Sequence, residues 1–190
     1  MSKIALSPNA SGTGVFTIAS PNGNTDRTLT LPDEAGTVLT TAGVPASAMP
    51  AGSVIQVVQG VLSTGFSTTS GSDQDTGLNA TITPQSSSNK ILVIVSTMLR
   101  AYNGGGGNCY IYQKLWRGAV PSGTVLWEGY PIVGSQNTDV RGVGNMTYLD
   151  SPNTTSATAY RVSINSAYAS EVFINETTSP STITLMEIAA

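Results

Sequence analysis

Tyr160-Arg161-Val162-Ser163-Ile164-Asn165 alternates apolar and polar side chains without a break. A period of two puts Tyr160, Val162 and Ile164 on one face of a strand and Arg161, Ser163 and Asn165 on the other, the pattern of a half-buried strand. Outward from this stretch the same period returns at Leu78–Thr83 and Thr182–Ile188. Lys90–Met98 is apolar in both phases, which predicts a central strand covered on both faces. With Val54–Gln59, Cys109–Arg117, Val125–Tyr130, Asn145–Leu149 and Glu171–Asn175, this makes about nine strands between Ser53 and the C-terminus. Pieces rich in Gly, Asn, Ser and Pro separate them, where turns need such residues. No window of a dozen residues repeats apolar positions at helical spacing with a cap and a charged face; Ala167–Phe173 alone could close one helical turn. Short strands at this spacing predict a β-sandwich or barrel.

The first 43 residues read differently. Short strand pieces at Gly14–Ala19, Thr28–Leu31 and Thr37–Leu39 alternate with turns at Pro21–Asn24 and Pro32–Gly36. Residues 44–52, Val-Pro-Ala-Ser-Ala-Met-Pro-Ala-Gly, are small and uncharged and hold two prolines, so they read as a linker or stiff neck. About 40 residues do not normally bury enough surface to fold alone without disulfides, a metal or partner chains. This segment has neither Cys nor His. Its apolar side chains (among them Phe16, Ile18, Leu29, Leu31, Val38 and Leu39) therefore need cover from the C-terminal domain, from other copies of the chain or from a different protein; the linker favours the intermolecular covers, which makes these attachment and assembly residues.

Composition excludes several functions. The 190 residues contain no His and one Cys, so the common zinc sites and a His-based nucleophile pair have no ligands or base. Eight Lys and Arg against eleven Asp and Glu make no basic tract for nucleic acid. The longest aliphatic run, Ile91–Val95, is far short of the roughly 20 residues that span a bilayer. No signal-peptide core is evident, so synthesis in a cytosol is expected. No metal, cofactor or catalytic group is assigned, and the chain is read as not an enzyme.

The remaining motifs have ordinary readings. Ser87-Ser88-Asn89-Lys90 ends in a strand, not on the helix that an activated Ser-x-x-Lys pair needs, and reads as a hairpin turn. Asp73-Gln74-Asp75 could offer oxygens to a divalent cation but lacks the six or more that calcium takes, and reads as a solvated loop. Gly104–Gly107 lacks the Lys-Ser/Thr that follows in a phosphate loop. Cys109 reads as a small buried hydrophobe. The aromatics Tyr102, Tyr110, Tyr112, Trp116, Trp127 and Tyr130 cluster between Leu99 and Pro131. Core and subunit packing is the leading reading; an exposed surface for sugars or proteins is the functional one, with Tyr102, Trp116, Trp127 and Tyr130 as its candidates.

Two stretches carry a resemblance. Gly14-Val15-Phe16-Thr17-Ile18 with Asn24-Thr25-Asp26-Arg27-Thr28-Leu29-Thr30-Leu31-Pro32-Asp33-Glu34-Ala35-Gly36-Thr37-Val38-Leu39-Thr40 resembles a segment near the front of bacteriophage tail-fibre and other virion fibre proteins, notably of marine and cyanobacterial phages. Leu78–Val93, Tyr148–Pro152 and Ile183–Ile188 are similar to the C-terminal knob of such proteins, and more loosely to trimeric jelly rolls of the complement-head and tumour-necrosis-factor type. The resemblance implies a homotrimer. It is all-β, with an extended N-terminal segment (1–43) that attaches to other virion proteins, a linker (44–52) and a jelly-roll-like sandwich knob (53–190) pointing outward. The implied role is a tail fibre of the virion whose knob binds a host cell-surface glycan or protein, without membrane insertion. The alternative is a capsid decoration or head-fibre protein with a purely structural role.

Overall fold

The structure is a computed structural model, and it describes residues 11–15, 17, 22–26, 28, 48–104, 108–134, 139–167, 171–176 and 179–190. The chain divides into two compact units, Met1–Val38 and Leu39–Ala190. In the first, residues 22–25 bend, where the turn at Pro21–Asn24 is expected, and Gly14, Val15, Thr17 and Thr28 are not in strands. The six attachment candidates Phe16, Ile18, Leu29, Leu31, Val38 and Leu39 lie outside the described residues, as do residues 44–47 of the expected linker.

The second unit holds ten strands: β1 (Val54–Leu62), β2 (Phe66–Thr68), β3 (Gln74–Ile82), β4 (Lys90–Tyr102), β5 (Cys109–Arg117), β6 (Thr124–Gly134), β7 (Asp139–Asp150), β8 (Thr158–Ala167), β9 (Glu171–Ile174) and β10 (Ser181–Ile188). All their pairings are antiparallel. Sheet A has the order β1-β10-β4-β9-β2, with β7 along the other edge of β4, and sheet B is β3-β8-β5-β6. Setting aside the short β2 and β9, β1-β10-β4-β7 faces β3-β8-β5-β6, and the chain crosses repeatedly between the two. That is the double Greek-key order of a jelly roll.

The alternation in sequence builds the core between these sheets. Leu78 and Ile82 of β3, Ile111 and Leu115 of β5, and Tyr160, Val162 and Ile164 of β8 meet Ile91, Val93, Val95 and Leu99 of β4 and Ile183 and Leu185 of β10. All are essentially buried, each worth about 1.5–3 kcal/mol for an aliphatic side chain taken out of water.

Polar groups also bridge the layers. Gln113 of sheet B is fully buried and donates from Nε2 to Thr97 Oγ1 of sheet A at 2.8 Å, while Thr97 donates to the Gly144 carbonyl at 2.7 Å. Gly144 leaves the space for this: a Cβ there would lie 2.7 Å from both Leu99 Cδ1 and Thr97 Oγ1. At the end of β7, Tyr160 Oη donates to Asp150 Oδ2 at 2.7 Å, and Arg117 Nη1 lies 2.9 Å from both Asp150 oxygens. Burial, aided by the Asp150 carboxylate, pushes the Tyr160 phenol well above its ordinary range, so it stays a donor. Tyr160→Phe removes one donor from a buried carboxylate, and about 1.5–2 kcal/mol is expected. Thermal unfolding should register this as a fall of roughly 3–8 °C.

Of Ala167–Phe173, read as able to close one helical turn, Ala167 ends β8 and Glu171–Phe173 belong to β9, while residues 168–170 lie outside the described residues. Two expectations need correction. β4 is central, but among the described residues only one of its faces is covered; Ile91, Val93, Val95, Leu99 and Ala101 point inward, while Ile94 is 37% exposed and Leu92 and Met98 are half-buried. β7 begins six residues earlier than expected, because Asp139–Gly144, with its charges and glycines, pairs along the rest of β4. Its alternation holds: Asp139, Arg141 and Val143 point outward and Val140, Gly142 and Gly144 inward. The Ser87–Lys90 stretch is a turn into β4, as expected, closed by Asn89 N–H donating to the Ser86 carbonyl at 3.2 Å.

Candidate functional site

The outer face of sheet B gathers most of the aromatic cluster. On β5, Tyr110, Tyr112, Lys114 and Trp116 share the outward phase, and cross-strand registry sets Tyr112 against Asn165, Lys114 against Ser163 and Trp116 against Arg161. On the other side, Lys114 faces Glu128 of β6. A register shift between Ile111 and Gln113 then gives β6 an extra residue, and a bulge of this kind re-aims neighbouring side chains. Tyr130 comes to rest 50% exposed, its ring centroid 3.7 Å from that of Tyr112 and 6.2 Å, edge-on, from that of Tyr110.

Paired charges frame these rings. Lys114 Nζ lies 3.0 Å from Asp73 Oδ2 and 3.5 Å from Glu128 Oε2, and Asn165 Nδ2 donates to Asp73 Oδ1 at 2.7 Å. Arg161 Nη1 pairs with Asp75 Oδ2 at 2.7 Å, and Asp75 Oδ1 accepts from the Gly77 N–H at 2.9 Å. The Asp73 carboxylate holds the Lys114 ammonium above the ordinary lysine range, against the partial burial that works the other way. The same ammonium sits 5.9 Å from the Tyr112 centroid and 5.8 Å from that of Trp116, within cation–π range. Asp73 and Asp75 are thus not free solvated loop carboxylates, and among the described residues no group of His, Cys, Asp or Glu is arranged to hold a metal ion.

The four singled-out aromatics part company. Tyr130 belongs to the exposed face. Trp116 shares that face but is only 4% exposed; its Nε1 donates to Ser163 Oγ at 2.7 Å, so it is a structural tile and not a contact residue. Trp127, opposite Leu115, packs against the core and is likewise no exposed candidate. Tyr102 lies on the other sheet, at the far end of β4, 44% exposed. The Arg100 guanidinium carbon is 5.3 Å from the Tyr102 centroid and 5.0 Å from that of Phe173. Arg100 also pairs with Asp139 through Nε at 2.6 Å and with Glu176. The Asp139 hydrogen bond holds the guanidinium above its ordinary range and the carboxylate below its own. Tyr110 and Tyr112 belong to the sheet B site although they were not singled out; their i, i+2 spacing with Lys114 was the available signal. Asp73 and Asn165, far away in sequence, gave none. Cys109 is buried, as expected.

No family model matches the chain, and no curated protein matches it. Among solved structures it is similar to one of the infectious bursal disease virus Gt strain, at 12% identity and a TM-score of 0.36 over 71% of this chain and 38% of that one. The infectious bursal disease virus VP2 subviral particle gives 11% identity and a TM-score of 0.39 over 73% and 38%. The match spans well under half the length of these proteins, and a likeness this shallow assigns neither family nor role.

Proposed function

We propose that the chain is a structural part of a bacteriophage virion, a tail fibre whose C-terminal sandwich adheres to the host surface through the outer face of sheet B. The observation that carries the adhesion is the Tyr110–Tyr112–Tyr130 group set among side chains whose charges are already paired. Tyrosine rings offer apolar faces for the C–H side of a sugar and polar tips for its hydroxyls. Paired carboxylates and ammonium groups add fixed hydrogen-bonding positions with little net charge, which suits a neutral surface glycan. Residues 1–43 would fasten the fibre to other virion proteins, as the resemblance of that segment implies. Copies in a homotrimer would multiply weak contacts through effective concentration.

The test is adhesion of the purified full chain to cells of the bacterium that propagates the particle, and to polysaccharide extracted from them. Losing an aromatic contact costs about 1 kcal/mol per copy, roughly a fivefold weakening. Across three copies engaged together this becomes about a hundredfold. Tyr112→Ala with Tyr130→Ala should therefore abolish retention on cells while leaving the sedimentation of the protein unchanged. Full retention by the double variant would move the receptor contact elsewhere, and density for the chain on the capsid shell and not the tail would replace the tail-fibre reading with the decoration reading.

A further inference from the structure

The two outer faces of the sandwich are built from different materials. Sheet B presents ion pairs; the outer face of β1-β10-β4-β7 in sheet A presents an uncharged field. Registry aligns it strand by strand: Val57 lies opposite Met186, Met186 opposite Leu92, and Leu92 opposite Leu149, one apolar row across four strands. The next row is Gln59, Thr184, Ile94 and Thr147, and the one after it Val61, Thr182, Ser96 and Asn145. Val57 is 56% exposed, Val61 57% and Leu149 50%. Among the described residues, charge on this face lies at the ends of the field, at Lys90 on one side and, on the other, in the cluster where Arg100 and Arg141 pair with Asp139 and Glu176. Exposed aliphatics in the wet phase of three strands, in a chain that elsewhere pairs its surface charges, mark a contact surface.

We infer that this face is where copies of the chain pack against one another. Four strands about 4.8 Å apart and some eight residues long at about 3.3 Å each give a footprint of roughly 500 Å² per copy. Two such faces together reach roughly 1,000 Å², about the least that a specific interface buries. The chemistry fits a copy: the chain carries a net charge of −3, yet the central rows of this face hold no charge to repel a neighbouring copy. Assembly through sheet A also leaves the sheet B site of each copy turned outward. The inference rests on the reading of the chain as a multi-copy part and names the surface that reading needs.

Sedimentation of the full chain tests it, comparing the parent protein with Leu92→Glu, with Leu149→Lys and, as a control on the outer face of sheet B, with Asn79→Glu. The parent and the control should be oligomeric at micromolar concentration, and each sheet A variant should self-associate at least a hundredfold more weakly. Unchanged oligomers in both sheet A variants would overturn the assigned face while leaving the multi-copy reading intact; a monomeric parent would remove both. Should the charged variants fail to fold, Val57→Cys decides, since Cys109 is buried. Its thiol should react slowly with a maleimide in the oligomer and fast on dilution to monomer. Fast reaction in the oligomer, or protection in a monomeric full chain by its own residues 1–47, would each overturn the inference.

Discussion

Gly60→Ala is expected to lower stability by about 3 kcal/mol or more, placing it among the most damaging single-methyl changes available in this chain. Gly60 sits mid-strand in β1, opposite Ile183 of β10, where β1 passes over β3 of the other sheet. A Cβ there would lie 2.8 Å from the Asn79 carbonyl carbon, closer still to its oxygen, and 3.0 Å from Ile183 Cγ2. Two of these three atoms are backbone, so no rotamer change relieves the collision. β1 cannot retreat without breaking its ladder to β10, and β3 cannot without breaking its own to β8, where Asn79 pairs with Arg161. For a domain of this size the loss corresponds to roughly 6–12 °C in thermal midpoint. Gly71→Ala is the control, since its added Cβ meets nothing nearer than the Ser166 carbonyl oxygen at 3.7 Å. Calorimetry on the two variants should separate them clearly; equal midpoints would mean that the sheets do not cross at Gly60 as described.

The strands were legible because alternation is local. Tyr160, Val162 and Ile164 point inward as their period demands. The same stretch shows where local reading stops. Ser163 and Asn165 occupy the outward phase but are buried too, because Trp116 donates to Ser163 and Asp73 accepts from Asn165. Those partners come from β5 and from the lead into β3, and no spacing within β8 announces them. The aromatic cluster failed to resolve for a related reason. Register shifts in the β5–β6 pair, between Ile111 and Gln113 and between Leu115 and Trp116, set which aromatic side chains of the two strands share a face. A bulge of one residue reverses every later assignment on a strand, so Trp116 and Trp127 end on opposite sides. β2 escaped notice because three residues are too few to show a period; Phe66–Thr68 is a strand through its pairing with β9. The open outer face of β4 was misread for a further reason: apolar residues in both phases state that both faces avoid water, and the described residues supply one cover.

Glu187→Gln is expected to cost about 2–4 kcal/mol at neutral pH and to flatten the acid limb of the stability curve. Glu187 sits near the end of β10, fully buried, in a strand whose other inward side chains are Ser181, Ile183 and Leu185. Burial alone would raise its pKa, but hydrogen bonds from Gln56, Asn89 and the Gln85 and Ser86 backbone outweigh it and hold the carboxyl below its ordinary value. Gln56 Nε2 donates at 2.5 Å to one oxygen, and the Gln85 N–H and Asn89 Nδ2 each donate at 2.7 Å to the other. Asn89 Oδ1 in turn accepts from the Ala190 N–H at 3.3 Å, and Gly52 N–H donates to the Ala189 carbonyl at 2.8 Å. One carboxylate thus clamps the β3–β4 turn, the start of β1 and the chain end. The sign follows from the depressed pKa: the unfolded chain takes up the proton first, so the contribution is complete above the unfolded value near 4.5 and disappears as pH falls through the lower folded value. A glutamine keeps the shape but offers one acceptor and an amide N–H₂ that confronts donors. Denaturant unfolding from pH 7 to pH 3 should show the parent protein losing stability steeply on the acid side and the variant starting lower with a shallower fall. Parallel curves for the two proteins would mean that the clamp does not depend on the charge of Glu187.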